Sequence, residues 1–345
     1  MIRRIQTLPI GQRYLIFFLI FGGGLVFIVA IAALLYTFTL SNTSRREAVA
    51  LIDSVSVAEF AILPDDDAYP ASVATAPDGT VYSASYATGV VWSIDSAGTV
   101  SEIAGTRDRL LSVTGITVAS DGAVYIAGYV MGEDDDSRSA ILRYDGALTE
   151  IGTLNSPDEL NTIFPLLDDI TVDSAGNVYV SDRARREVWQ ITSEGNIFSW
   201  WSVPEDDEFV DDVVPTGLVY DSLTDTILIT DSEANTIYRV QLDGRATEII
   251  YRYEGEAGNA PSLDGITIAP DGTIYVAALA ENGIGIIENG AMNYIVGLFR
   301  GSSDVDYDDG YLYVSNFDSR SLVDPIRSSQ LPFAIDVIDL TLAGE

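Results

Sequence analysis

Four aspartates are the residues best placed to do chemistry in this chain: Asp168, Asp169, Asp264 and Asp304. The 345 residues contain no His, no Cys and no Lys, and all 18 basic residues are Arg. Imidazole, thiolate and Schiff-base chemistry are therefore excluded, as are the usual zinc ligands. A nucleophile–base pair could be assembled only from carboxylates. A site of oxygen ligands alone suits Ca²⁺ or Mg²⁺ rather than a transition metal. Aspartate at the start of a strand has another common use, which is to cap a turn and accept backbone hydrogen bonds. Both readings stay open for these four.

The four share a place in a repeat. The stretch from Thr216 to Phe299 holds two copies of one pattern, each of four short β-branched strands with turns between them. Asp271-Gly272 and Asn289-Gly290 supply the positive φ of tight hairpins, as does Asp243-Gly244. Glycines at 98, 146, 195, 244 and 290 mark the same turn in successive copies, at spacings of 48, 49, 49 and 46 residues. A four-stranded unit at this period is a β-propeller blade. The blades are expected at 71–104, 114–152, 168–203, 216–250 and 264–298, with a sixth opening at Ser303. That sixth has only three strands before the chain ends. The lone strand Val55–Leu63 supplies its fourth, which predicts a 3+1 ring closure that hides two sheet edges.

In such a ring the innermost strands line a central channel, and equivalent positions converge at its mouth. The first set is Ala71, Thr114, Asp168, Thr216, Asp264 and Ser303. The second is Ser72, Gly115, Asp169, Gly217, Gly265 and Asp304. Four carboxylates thus gather near one mouth.

Ahead of the repeats, residues 14–40 carry no charge, and the run exceeds the ~20 residues that cross a bilayer. Arg3, Arg4 and Arg13 precede it, so the N-terminus is expected in the cytoplasm and the remainder outside. The expected organisation is a cytoplasmic 1–13, a single transmembrane helix over 14–40, a stalk over 41–54 and an all-β, six-bladed propeller over 55–345. Gly22-Gly23-Gly24 reads either as a tolerated flexible point within the span or as a small-residue face for another membrane helix. Beyond residue 46 the remaining 13 Arg face all 52 acidic residues. Such a surface repels nucleic acid. The acidic loops at 133–136 and 205–212 and the insertion 318–332 are solvated segments where a propeller can hold partners. Trp200-Trp201 is read chiefly as packing between blades, with a partner patch as the other reading.

Blades three to five resemble those of the SMP-30/gluconolactonase/LRE-like group of six-bladed propellers and, more loosely, NHL repeats. Leu263-Asp264-Gly265-Ile266-Thr267-Ile268 is similar to the family's P-D-G stretch. Leu167-Asp168-Asp169-Ile170 resembles its N-D segment, and Pro215-Thr216-Gly217-Leu218 with Thr230-Asp231-Ser232 resembles P-N-G-L and T-D-S. The resemblance implies a divalent-metal ligand and proton-transfer residue at Asp264. It also shows departures. Thr216 and Asp168 stand where the family has Asn, and no acid stands at Tyr69-Pro70-Ala71, where the family has a metal-binding Glu.

Two functions follow as expectations. The first is a membrane-anchored extracytoplasmic propeller that serves as a binding or scaffold subunit among membrane-protein partners. The second is a divalent-metal-dependent lactonase, with Asp264 as the catalytic candidate and Asp168, Asp169 and Asp304 completing a Ca²⁺-type site.

Overall fold

In the computed structural model, residues 9–10, 12, 23–34, 46–132, 137–154, 165–203, 213–243, 246–324 and 327–344 are described. Gly244, the acidic loops 133–136 and 205–212, and much of 14–45 lie outside them. The chain divides into two compact units. One is residues 46–319 with 331–345, and the other is residues 1–45 with 320–330.

The larger unit is a six-bladed propeller made of six antiparallel sheets. The innermost strands are Pro70–Thr75, Leu110–Val118, Leu167–Val172, Pro215–Asp221, Leu263–Ile268 and Ser302–Asp308. Each contacts the next around the ring, and the last contacts the first. Blade six closes as 3+1. Strand Ser56–Ile62 pairs antiparallel with Ala334–Asp339, placing Ser56 opposite Asp339 and Ile62 opposite Ala334. The residues read as a stalk also contribute. Val49–Ala50 pairs with Val296 and Gly297 and gives blade five a fifth strand.

The strands form where β-branched and aromatic residues alternate between two buried faces, as in Thr226–Asp231 and Val178–Asp182, which are buried along their whole length. The turns repeat one device. Asp78, Asp121 and Asp271 each accept the backbone N–H two residues on, at 3.0, 3.0 and 2.9 Å, and the glycine between adopts positive φ, 89° at Gly272. One apolar cluster lies between each neighbouring pair of blades, so the core is a ring of six seams rather than one centre. Trp201 is buried in the seam between blades three and four, 5.3 Å from the Tyr238 ring. Trp200 packs edge-on against Tyr179 and donates its indole N–H to Leu242 O at 2.9 Å.

In the smaller unit, residues 23–34 are helical and Ser321 Oγ bonds Ser329 Oγ at 3.4 Å. Here an expectation is corrected. Among the described residues no helix is long and apolar enough to cross a membrane. The single-pass anchor over 14–40, and the extracytoplasmic location drawn from it, are not supported.

Candidate functional site

One irregularity shapes the channel mouth in every blade. Each inner strand carries an extra residue relative to its partner near its start, and that of blade two carries two. Leu167 pairs with Asp182 but Ile170 pairs with Val180, and the same slip follows Pro215, Leu263 and Ser302. Blade one slips after Pro70, and blade two after both Leu110 and Val113. A bulge of this kind frees two residues from the ladder and re-aims their side chains. In blades three to six the freed pairs are Asp168-Asp169, Thr216-Gly217, Asp264-Gly265 and Ser303-Asp304.

The second residue of each pair joins blade to blade. Asp169 accepts Ile170 N at 2.8 Å through Oδ1 and Leu218 N of blade four at 2.7 Å through Oδ2. Asp304 accepts Val305 N at 2.8 Å through Oδ1. Its Oδ2 takes Val73 N at 2.9 Å and the Ser72 hydroxyl at 2.7 Å, both from blade one. Ser72 Oγ in turn accepts Ile116 N of blade two at 3.0 Å. The other three joints are glycines because there is no room for a side chain. A Cβ on Gly115 would lie 2.7 Å from Asp169 Cα, one on Gly217 2.9 Å from Gly265 Cα, and one on Gly265 2.6 Å from Asp304 Cα. The aspartates of this set therefore spend their oxygens on backbone N–H groups, the use that turn preference also allowed. Burial pushes the Asp304 carboxyl up to about 7, against the pull of its donors. Burial, then the Asp304 charge, raises Asp169 well above the ordinary range.

The first residues of the pairs divide differently. Thr216 Oγ1 donates to Leu263 O at 3.0 Å, and Ser303 Oγ to Ala71 O at 2.8 Å, so both hydroxyls serve the seams. Asp168 and Asp264 remain. Asp168 Oδ2 lies 3.6 Å from Arg183 Nε and has no hydrogen-bond partner among the described residues. Its side chain keeps 21% of its surface, so it sits deep but reachable. Burial raises the Asp168 carboxyl and Arg183 opposes that rise. Asp264 is pushed further up, by burial first, then by the Asp168 charge, with Arg183 again opposing. The carboxylates of Asp168, Asp264 and Glu233 hold the Arg183 guanidinium firmly charged.

Both aspartates are carried on bolted backbone. Ahead of Asp168, Leu167 N donates to Tyr129 Oη at 2.8 Å and Leu166 N to Asp182 Oδ1 at 3.0 Å. Leu166 O accepts Arg183 N at 2.9 Å. Ahead of Asp264, Ser262 N donates to Asn235 Oδ1 at 2.6 Å. Asp264 O accepts Thr230 Oγ1 at 2.6 Å. Two carboxyls with different environments and one guanidinium are thus held in electrostatic reach of one another, which suits proton transfer beside a fixed positive charge.

Of the four aspartates proposed from the sequence, Asp168 pairs with Arg183, Asp264 feels the charges of both, and Asp169 and Asp304 are set into the joints. Arg183, Glu233 and Tyr129 were not foreseen. Arg183 was visible as the first Arg of Ser181-Asp182-Arg183-Ala184-Arg185-Arg186, at the turn matching Thr230-Asp231-Ser232, but nothing in that run says which of its three Arg faces the mouth.

The donor set does not fit a divalent ion. Ca²⁺ takes six to eight oxygens. Here the Asp169 and Asp304 oxygens are already hydrogen-bonded, Thr216 donates to a carbonyl, and Tyr69-Pro70-Ala71 offers no acid. Among the described residues no group of three or more acidic side chains is arranged to hold a metal.

No protein-family model matches the sequence, and no curated protein is similar to it at the sequence level. Solved structures match its fold. A gluconolactonase from Xanthomonas campestris superposes with a TM-score of 0.58 at 11% identity, covering 86% of this chain and 94% of its own. A luciferin-regenerating enzyme gives 0.58 at 13%, covering 85% and 95%. Virginiamycin B lyase from Staphylococcus aureus gives 0.56 at 13%, covering 83% and 99%. At such identities the likeness concerns the fold, that of the gluconolactonase-like and lyase six-bladed propellers.

Proposed function

We propose that this propeller is a lactone-opening hydrolase acting on a small molecule bound at the channel mouth. This is favoured over the scaffold role also expected from the sequence. The observation that carries it is the pairing of Asp168 with Arg183 beside Asp264, the two aspartates on inner-strand bulges and Arg183 in the turn after the second strand of blade three. Fold neighbours that include a gluconolactonase add support at the level of the fold.

Asp264 is the proton-transfer residue in this reading. Its ionised carboxylate takes a proton from a water as the water oxygen attacks the lactone carbonyl. The ring C–O bond then breaks, and Asp264 returns the proton to the departing alkoxide. The product is the open hydroxy acid. A raised carboxyl suits both halves, because proton transfer is efficient when the pKa lies near the working pH. Arg183 faces the oxygen that gains negative charge, and its fixed cation lowers the barrier most where water is excluded. Asp168 is a positioning residue that holds the guanidinium.

The test is hydroxy-acid release from a panel of aldonolactones and simple γ- and δ-lactones by the purified full chain. Turnover above the spontaneous rate, lost in Asp264→Asn with the melting temperature kept, is the expected result. A panel on which the wild type never exceeds the spontaneous rate, or on which Asp264→Asn matches it, overturns the reading.

A further inference from the structure

The mismatch between this mouth and a metal site has a positive content. We propose that Arg183 is the resident cation of the mouth, its guanidinium filling the electrostatic role that a bound divalent ion would otherwise have between Asp168 and Asp264. The inference deepens the lactonase reading, since it assigns the charge that site would use, but its test does not depend on turnover.

Three observations carry it. The first is position. Arg183 opens the turn after the second strand of blade three, and its N–H is bonded to Leu166 O, two residues before Asp168. The side chain is therefore launched from the same bolted segment that presents the carboxylate. The second is pairing. Arg183 Nε meets Asp168 Oδ2 at 3.6 Å, and that oxygen, shielded from water, has no hydrogen-bond donor among the described residues. A buried carboxylate oxygen without a donor needs a compensating charge, and the guanidinium supplies it. The third is loss of ligands. Thr216 has turned its hydroxyl to Leu263 O, and Asp169 and Asp304 have turned their oxygens to blade joints. A metal here would have two carboxylates and would meet a fixed positive charge, which like-charge repulsion disfavours.

The charge count agrees. Asp168 and Asp264 with Arg183 leave one net negative charge, whereas the two carboxylates without it would leave two on one small cleft. Arginine keeps its charge at every working pH and carries it on a planar, weakly hydrated group that tolerates partial burial. Its side chain is 44% exposed, so it can be replaced without opening a core cavity.

The experiment is Tb³⁺ luminescence and Ca²⁺-dependent thermal shift on the full chain, in enough salt to screen the acidic surface. Wild type is expected to show no stoichiometric site that depends on Asp264. Arg183→Met should gain one, binding Tb³⁺ at least about tenfold tighter because one positive charge beside the carboxylates is gone. Arg183→Lys should gain none, and Arg183→Met with Asp264→Asn should lose what Arg183→Met gained. Melting curves without metal confirm that each variant folds. Stoichiometric Tb³⁺ binding by wild type that Asp264→Asn removes would overturn the proposal, as would an Arg183→Met variant that binds no tighter than Arg183→Lys. A gain of binding in Arg183→Met with no lactone opened by wild type would sink the enzymatic reading and leave the built-in cation standing.

Discussion

Substituting Gly217 by Ala tests whether the glycine joints set the geometry of the mouth. An added Cβ would overlap Asp264 O and lie 2.8 Å from Thr230 Oγ1 and 2.9 Å from Gly265 Cα. Two of these three are backbone atoms of blade five, so no side chain can swing aside. Ordinary contact begins near 3.4 Å, so relief requires blades four and five to part by roughly 1 Å at the mouth, enough to forfeit a quarter to a half of each contact along the seam. Two bonds bridge that seam, Thr216 Oγ1 to Leu263 O at 3.0 Å and Thr230 Oγ1 to Asp264 O at 2.6 Å. Both would stretch past useful length, at about 1 kcal/mol each. Overpacking adds about 1–3 kcal/mol. The expected loss is therefore about 3–5 kcal/mol, read as the shift of the urea midpoint with unchanged slope. Asp264 is carried on the displaced strand, so activity should fall together with stability. Gly258→Ala is the control, since a Cβ there meets nothing within 4 Å, and it should change stability by less than about 0.5 kcal/mol. If Gly217→Ala melts within that same margin of wild type, the close-approach account of the joints is wrong.

Three further outcomes follow from the same geometry. Burial raises the folded-state carboxyl of Asp304 to about 7, above the ~3.9 of an unfolded aspartate, so the folded protein binds the extra proton between those values. Stability should accordingly be highest at the acid end of that window and fall as pH rises toward 7, and Asp304→Asn should flatten the slope measured by urea melts at several pH values. Thr230→Val keeps shape but orphans the buried Gly217 N–H, which Thr230 Oγ1 accepts at 2.7 Å, and should cost about 2–3 kcal/mol in chemical denaturation. Trp201→Ala, which empties the seam between blades three and four, should cost about 3–5 kcal/mol, whereas a residue serving only as a partner-docking patch would leave the unfolding midpoint in place.

The pH dependence of lactone opening gives one more reading of the mouth. Asp264 must be ionised to accept a proton, and its carboxyl is held well above the ordinary range by burial and the Asp168 charge. The rate should rise with pH through that raised value. Asp168→Asn removes the neighbouring charge and should move the rise to lower pH in a pH–rate profile, with the melting temperature nearly unchanged.

The ring itself was legible in the chain. Asp-Gly and Asn-Gly turns at a near-constant spacing, with β-branched runs between them, leave a repeat of four-stranded units as the economical outcome. The count of strands after Ser303 forces the segment around Phe60 to complete the last blade, and Ser56–Ile62 does so. Within a blade local propensity suffices because each hairpin is a short-range object, while the closure follows from the strand count. The apolar run at 14–40 led to an expected membrane span, whereas among the described residues no helix is long and apolar enough to cross a membrane. The division of labour among Asp168, Asp169, Asp264 and Asp304 was beyond the sequence. A one-residue bulge turns neighbours such as Asp168 and Asp169 in opposite senses, one toward the channel and one into Leu218 N of the next blade. Asp168 meets a guanidinium fifteen residues on in its own blade, whereas Asp169 meets a backbone N–H 49 residues away and Asp304 one 231 residues away, and local propensity along the chain does not say which partner each side chain faces.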